Sequence, residues 1–215
     1  MSWSKPMSAI AALAIHTSSP ELGLALQTPA TGLRQHTWDL GRELSHQLHP
    51  YLAAFRAGVA WSQLQFIAVA IGPGGFTGTR LGVITARTLG QQLDIPVFGI
   101  STLAAVAWQQ RNLQQAETIA VQYPARRGEY FGGIYRVTPE GMDVAATLGD
   151  RLYAPEAGSM ALAEQQYDRF IAAANPLGET VGAVLELGAI AYARGERPSW
   201  ATVLPFYGQS PVAST

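Results

Sequence analysis

The chain of 215 residues contains no cysteine. Disulfide scaffolds, thiol catalysis and cysteine-ligated metal sites are therefore excluded. Charged residues are also scarce, at 13% of the chain, whereas hydrophobic residues make up 48%. This composition supplies enough apolar side chains for a substantial core, and the length suits one large domain or two small lobes.

The chain carries no strong charge of either sign. Its formal net charge is −1 and its isoelectric point is about 6.4. A basic field that could hold a nucleic acid by itself is therefore absent. The cluster of Arg126, Arg127 and Arg136 is too small to supply such a field, and we predict that these arginines are solvated.

Long hydrophobic runs are missing as well. The apolar run at residues 7–15 follows Lys5, as in a signal peptide. However, it includes what we predict to be the first strand of the fold, and it is short for a membrane-spanning helix. We therefore expect a mature cytoplasmic protein that has no membrane segment.

The usual catalytic groupings are not found. His46 and His49 lie three residues apart on a predicted helix, without the His-Glu-x-x-His pattern of a zinc site. Ser18 and Ser101 lack the Gly-x-Ser-x-Gly pattern of a nucleophile elbow. Glu129 is the single carboxylate of its turn, so no acid–base pair assembles there. We predict no catalytic residue, no metal site and no cofactor.

The most informative segment is a glycine-rich loop at residues 71–80, with the sequence Ile-Gly-Pro-Gly-Gly-Phe-Thr-Gly-Thr-Arg. It follows a strand-like segment and opens a predicted helix that runs to about Leu93. Glycine permits close backbone approach, and a helix N-terminus presents free N–H groups and a partial positive charge. In outline, the loop therefore suits an anion, which Gly72, Gly74, Gly75 and Thr77 would hold.

The details of this loop differ from those of nucleotide-binding loops. A Walker loop requires a lysine, and the only lysine in the first half of the chain is Lys5. A dinucleotide fingerprint requires Gly-x-Gly-x-x-Gly. If Gly72 and Gly74 are its first two glycines, the last one should stand at position 77, but that residue is Thr77 and Gly78 comes one residue late. We therefore predict a tight strand-to-helix turn with Thr77 as the N-cap, and a vestigial anion-binding loop as the alternative.

Small residues recur every four positions along the helix that follows: Gly78, Gly82, Ala86 and Gly90. At about 3.6 residues per turn they form one stripe almost without side chains. A glycine inside a helix costs about 1 kcal/mol relative to alanine, so a close neighbour should offset that cost. The neighbour is either the protein's own sheet or a second subunit. For a subunit, the predicted contact residues are Leu44, Leu48, Leu52, Phe76, Gly78, Arg80, Gly82, Ala86 and Gly90.

Hydrophobic periodicity predicts the order β-β-β-α-β-α-β-α over the first half of the chain. The predicted strands cover residues 11–15, 22–27, 33–38, 66–71 and 96–100, and the other predicted helices cover residues 41–57 and 103–111. The second half is predicted to hold strands at 118–123, 129–137 and 143–148, an amphipathic helix at 179–194 and an irregular tail from residue 203. These elements predict a mixed α/β fold, with one lobe at residues 1–110 and a smaller one at 111–215.

Five segments of the chain together resemble the TsaB family, also called YeaZ, the dimerisation subunits of the bacterial tRNA threonylcarbamoyladenosine complex. The segments are Thr17-Ser18 after the first strand, the glycine loop through Gly82, residues 95–103 with their Ser-Thr-Leu end, residues 125–131, and Pro-Phe-Tyr at residues 205–207. The resemblance covers nearly the whole chain.

The resemblance implies a two-lobed fold of the actin-like ATPase (ASKHA, ribonuclease H-like) type with a reduced second lobe. Family members are similar to inactive paralogues of the catalytic subunit TsaD. They bind TsaD through the N-terminal lobe, and the ATPase TsaE joins the assembly. The implied role is thus that of a noncatalytic subunit, which meets tRNA only through the complex and forms homodimers when isolated.

Two positions depart from the family pattern. His16 and Pro124 each stand where the family has an aspartate. In actin-like ATPases the first aspartate helps to hold the metal and phosphates, and an imidazole is not the hard oxygen ligand that Mg²⁺ prefers. Both changes favour a scaffold over the alternative, an ATP-dependent enzyme of the actin-like and sugar-kinase superfamily. A peptidase, the third hypothesis, has no nucleophile, base and orienting group that we can name.

Overall fold

A computed structural model describes residues 9–139, 141–143, 148–155 and 165–207, which form two five-stranded sheets. The first sheet contains β1 (Ala12–His16), β2 (Glu21–Thr28), β3 (Gly32–Asp39), β4 (Phe66–Ala70) and β5 (Val97–Ile100). The second contains β6 (Glu117–Pro124), β7 (Tyr130–Thr138), β8 (Gly141–Asp143), β9 (Arg151–Tyr153) and β10 (Arg169–Ala172). The α-helices of the described residues are α1 (Leu44–Phe55), α2 (Phe76–Leu93), α3 (Thr102–Gln109) and α4 (Val181–Ala193).

The first sheet has the strand order β3-β2-β1-β4-β5. Its first three strands pair antiparallel, whereas β4 is parallel to β1 and to β5. The central strand β1 is buried along its whole length, because helices cover both faces of the sheet. A strand buried on both faces is typically a continuous apolar run. The predicted order of strands and helices in the first half is confirmed.

Helices lie on both faces of this sheet. Leu13 and Ile15 of β1 point to the face that α1 and α2 cover. Ala12 and Ala14 point to the opposite face, where α3 and α4 pack. The small side chains of that second face let α4 approach closely: a Cβ at Gly188 would lie 2.8 Å from the Cβ of Ala68.

The helix predicted at residues 179–194 is present as α4, but the prediction that it is amphipathic was wrong. Its buried residues are Val181, Gly182, Ala183, Val184, Leu185, Leu187, Gly188, Ala189 and Ile190. They extend around the helix because α4 lies between the first sheet and α3.

The first sheet lies within residues 1–110 and the second within 111–215. However, α4 and Val203, which belong to the second range, pack against the first sheet. The chain therefore returns to the first sheet after leaving the second. The division into two lobes at residue 110 stays a prediction.

The second sheet is only partly as predicted. Strands β6 and β7 correspond to the strands predicted at 118–123 and 129–137, and they pair antiparallel. Two short strands were not predicted: β9 pairs with β7, and β10 joins β6 in parallel. Of the strand predicted at 143–148, residue 143 belongs to β8, and residues 144–147 lie outside the described residues. The tail is irregular at residues 203–207, the last of the described residues.

The fold class agrees with the prediction. The architecture is the actin-like, ribonuclease H-like α/β type. It has a mixed sheet of order β3-β2-β1-β4-β5 with helices on both faces, and a second sheet. Within the ranges that the structure describes, no helix is long and apolar enough to cross a membrane.

Candidate functional site

Backbone hydrogen bonds hold the glycine loop against its neighbours. The N–H of Gly75 donates to the carbonyl oxygen of Ser18 at 2.6 Å, and the N–H of Thr102 donates to that of Gly72 at 2.8 Å. Gly72 has a φ of 99°, which favours glycine. A Cβ at Gly74 would overlap the Ser18 carbonyl. These glycines therefore allow the loop to pack closely on the segment after β1.

The start of α2 differs from the prediction. The helix begins at Phe76 and its N-cap is Gly75, so Thr77 is not the N-cap. Gly75 has extended backbone angles, whereas Thr77 lies exposed within the first turn. Since the Gly75 N–H already donates to Ser18, it is not free for an anion. Anion binding by Gly72, Gly74, Gly75 and Thr77 stays a prediction.

The small residues of α2 face the protein's own sheet. The Thr17 hydroxyl donates to the carbonyl oxygen of Gly78 at 2.8 Å. A Cβ at Gly78 would overlap the Thr17 carbonyl oxygen, and one at Gly82 would overlap the Thr17 hydroxyl. Further along, a Cβ at Gly90 would overlap the side chain of Val97. Intramolecular packing, one of the two alternatives, accounts for the stripe.

Six residues of the predicted partner interface are covered by the chain itself. They are Leu44, Leu48, Leu52, Gly82, Ala86 and Gly90, and all of them are buried. The leucines pack into the core beside β1 and β2, and the small residues face the sheet. In this chain these residues are covered by their own fold, and their contact with a partner stays a prediction.

The other side of α2 is an exposed surface, which we name the α2 outer face. It consists of Phe76, Arg80 and Ile84, spaced four residues apart and thus aligned along the helix. Phe76 is 52% exposed and Ile84 55%. Tyr207 extends this face, since its ring lies 5.0 Å from that of Phe76. Ile84 was not among the predicted contact residues, although its spacing from Arg80 was visible in the sequence.

The exposed side of α1 adjoins this face. His46 and His49 both point outward, and the Nε2 of His49 lies 3.4 Å from the Thr85 hydroxyl of α2. Across the described residues, no group of three or more histidine or acidic side chains is placed to bind a metal ion. The two histidines therefore belong to the surface formed by α1 and α2.

His16 is the last residue of β1 and lies in the protein interior. It is fully buried, and neither ring nitrogen has a hydrogen-bond partner among the described residues. Burial lowers the pKa of His16 from 6.5 to about 3, so the imidazole is neutral. Ser18 and Thr102 also have buried hydroxyl oxygens without a partner in the described part of the chain. A neutral ring thus stands at the position of the family's aspartate.

The arginines that sequence analysis singled out lie at the surface. Arg126, Arg127 and Arg136 are exposed, as predicted for solvated side chains. Arg126 and Arg127 lie in a single turn of 3₁₀ helix that links β6 to β7.

Sequence analysis missed a cleft between the elements of the two halves, which we name the interlobe cleft. Its volume is about 380 Å³. The end of β5, the start of α3 and the end of α4 form part of its wall, and β7 and residues 149–150 form the rest. The Ser101 hydroxyl lies 3.2 Å from the Tyr135 hydroxyl, which donates to a carboxylate oxygen of Asp150. No local motif joins these three residues, so only the tertiary fold reveals them.

The carboxyl group of this cleft has unusual electrostatics. Burial raises the pKa of Asp150 from 3.8 to about 6, although hydrogen bonds from Ser101 and Tyr135 oppose the change. Burial and the neighbouring Asp150 raise the pKa of Tyr135 well above 10, so the phenol stays protonated. Near neutral pH, the cleft therefore carries a carboxylate held by two hydroxyl groups.

Comparison with known proteins identifies the family. The family model described as "TsaD: tRNA N6-adenosine threonylcarbamoyltransferase" matches residues 42–165. The tRNA threonylcarbamoyladenosine biosynthesis protein TsaB of Bacillus subtilis is 35% identical over 58% of this chain and 54% of its own length. The TsaB protein of Escherichia coli is 27% identical over 60% of this chain and 57% of its own length. The chain thus spans about half the length of the curated relatives it matches.

Solved structures match over nearly the whole chain. YeaZ from Pseudomonas aeruginosa has a TM-score of 0.72 at 26% identity, over 92% of this chain and 99% of that chain. A second structure, described as similar to the peptidase YeaZ from Pseudomonas aeruginosa, has a TM-score of 0.73 at 27% identity, over 93% of this chain and 100% of that one. The chain belongs to the family that the matching model describes, and within it to the TsaB group, also called YeaZ.

Proposed function

We propose that this protein is a noncatalytic subunit of the tRNA threonylcarbamoyladenosine modification complex, which binds and supports the catalytic subunit TsaD. The names of the TsaB relatives support a role in this biosynthesis. The observation that carries the proposal is the α2 outer face, where Phe76 and Ile84 expose large apolar side chains beside Arg80. A cytoplasmic location follows from this role.

The interior of the glycine-loop region supports a noncatalytic role. An ATPase of this fold needs an anionic ligand for the metal at the end of β1, and His16 is buried and neutral there. The N–H of Gly75 is held by Ser18. His16 supplies no anionic oxygen ligand for Mg²⁺, and the Gly75 N–H is not free for an anion. Both observations disfavour the alternative of an ATP-dependent enzyme.

Docking on TsaD is supported by the match to the TsaD family model and by the side chains of the α2 outer face. The match to the TsaD family model includes both α1 and α2. TsaD therefore has counterparts of these helices, and we propose that the outer faces of the two related helix pairs pack together. Phe76 and Ile84 would supply apolar contact area, and Arg80, whose guanidinium lies 5.2 Å from the Phe76 ring centroid, would lie at its polar edge.

The family resemblance implies the remaining partners. TsaE would join the assembled pair, and isolated chains would form homodimers through the same outer faces. A net charge of −1 argues that tRNA is met through the complex. Co-purification of this protein with TsaD, with and without TsaE and nucleotide, tests the proposal.

A further inference from the structure

The interlobe cleft is a built polar site that the proposed role does not use. It lies beyond the end of β5, away from the α2 outer face. Its polar end is rigid, because Ser101 is the N-cap of α3 and accepts a hydrogen bond from the N–H of Ala104 at 3.1 Å. The buried hydroxyl of Tyr135 links this cap to Asp150.

The polar end of the cleft offers mainly hydrogen-bond acceptors. Asp150 contributes a carboxylate, and the hydroxyl oxygens of Ser101 and Tyr135 each keep acceptor capacity. An anion would be repelled by the carboxylate. An alkylammonium group has a positive charge, which complements the carboxylate of Asp150. It also has three N–H donors, one for each of the three acceptor groups.

The rest of the cleft is apolar. Ile100, Ala104, Leu187 and Ile190 contribute to its walls. Its volume of about 380 Å³ lies within the usual range of small-molecule sites. Arg194 and Glu196 are exposed lining residues and therefore lie at the mouth. The cleft thus combines an apolar wall with one acidic, hydrogen-bonded end.

We propose that the interlobe cleft binds a small molecule with a primary ammonium group and a short apolar chain. The ammonium group pairs with the Asp150 carboxylate and donates to Ser101 and Tyr135, and the apolar chain lies along α4. This inference is independent of the proposed role in tRNA modification, because no residue of the α2 outer face takes part.

The site has a defined dependence on pH. With a pKa of about 6, Asp150 is mostly ionised at pH 7 and mostly protonated at pH 5. Its charged fraction falls about tenfold between these values, and the affinity for an ammonium group should fall equally. The other titratable or charged groups around it are Tyr135 on β7, Arg151 and Tyr153 on β9, and Arg194 and Glu196 after α4. Both tyrosines have raised pKa values and stay neutral in this range.

Three probes with the same apolar chain test the assignment: n-hexylamine, 1-hexanol and hexanoate, each titrated into the full chain and followed by NMR. At pH 7 we expect hexylamine to bind at least tenfold more tightly than hexanol, and hexanoate to bind most weakly. Between pH 7 and pH 5, hexylamine should lose about tenfold in affinity, whereas hexanol should change little.

Two variants test which carboxylate causes the preference for hexylamine over hexanol. Asp150→Asn should reduce hexylamine binding to the level of hexanol, whereas Glu43→Gln, at an exposed position outside the cleft, should keep the preference for the amine. Equal binding of amine and alcohol by the unaltered protein, or a preference for hexanoate, would overturn the proposal. So would an Asp150→Asn variant that keeps the amine preference. If Asp150→Asn fails to fold, the pH comparison on the unaltered protein decides the question alone.

Discussion

Thr17 holds the first turn of α2 in two ways at Gly78. Its hydroxyl donates a hydrogen bond of 2.8 Å to the Gly78 carbonyl oxygen, and its own carbonyl oxygen occupies the space that a Cβ at residue 78 would need. The helix can approach β1 this closely because residue 78 has no side chain. The same contact directs the opposite side of α2, including Ile84, to the surface.

Gly78→Ala should therefore destabilise the protein. Alanine is favoured over glycine inside a helix by about 1 kcal/mol, but its methyl group would meet the backbone of Thr17, which cannot rotate away. Overpacking of this kind typically costs about 1–3 kcal/mol. We expect a net loss of up to about 2 kcal/mol, measured by urea unfolding.

Thr88→Ala, at an exposed position of the same helix, is the matched control. It introduces alanine without a steric conflict and should leave stability unchanged or slightly raised. An equal gain in stability for both variants would show that the close contact with Thr17 does not constrain α2.

The pH dependence of stability should reveal His16. Its pKa is about 3 in the folded protein and 6.5 in the unfolded chain. Above pH 6.5 the ring is neutral in both states and contributes nothing. Below pH 6.5 only the unfolded chain binds the proton, so His16 lowers stability by about 1.4 kcal/mol per pH unit as the pH falls towards 3.

Asp150 acts in the opposite direction. Its pKa is raised from 3.8 to about 6 on folding, so between these values the folded protein binds the extra proton and gains stability as the pH falls. The two effects oppose each other between pH 6 and 3.8. We expect Asp150→Asn to show a steeper loss of stability below pH 6 than the unaltered protein in urea unfolding. Identical slopes would contradict these assignments.

Nucleotide binding should be negligible. His16 is buried and neutral at the position where an ATPase of this fold has a carboxylate, and the Gly75 N–H is bonded within the chain. Calorimetry with millimolar ATP and Mg²⁺ should therefore give no heat of binding to the isolated protein. A saturable heat at this concentration would instead support the ATP-dependent alternative.

Local sequence patterns predicted the first half of the fold well. The apolar runs of β1, β4 and β5 and the spacing of Leu44, Leu48 and Leu52 in α1 carry clear periodicity. The second half was predicted less well, because β9 and β10 are only 3 and 4 residues long. Such strands are specified by their pairing with β7 and β6, which local periodicity does not show.

The candidate sites show a similar division. The small-residue stripe indicated a close neighbour, but sequence alone left open whether it was β1 or a partner, because both require the same residues. Asp150, Tyr135 and Ser101 are far apart along the chain and meet only through the packing of β7 and α3. On α2, Gly82 is buried and Ile84 is exposed. This difference likewise depends on which side of the helix the sheet covers.

The most direct test of the central claim is co-purification of TsaD with this protein and two variants of α2. Ile84→Glu places a charge on the α2 outer face without disturbing the core, since Ile84 is 55% exposed. Gln92→Glu places the same charge at an exposed position near the end of the helix. We predict that the unaltered protein and Gln92→Glu retain TsaD, whereas Ile84→Glu loses at least nine-tenths of it and remains folded by circular dichroism. Retention of TsaD by Ile84→Glu at the level of the unaltered protein would contradict docking through this face, and failure of the unaltered protein to retain TsaD would contradict the proposed function itself.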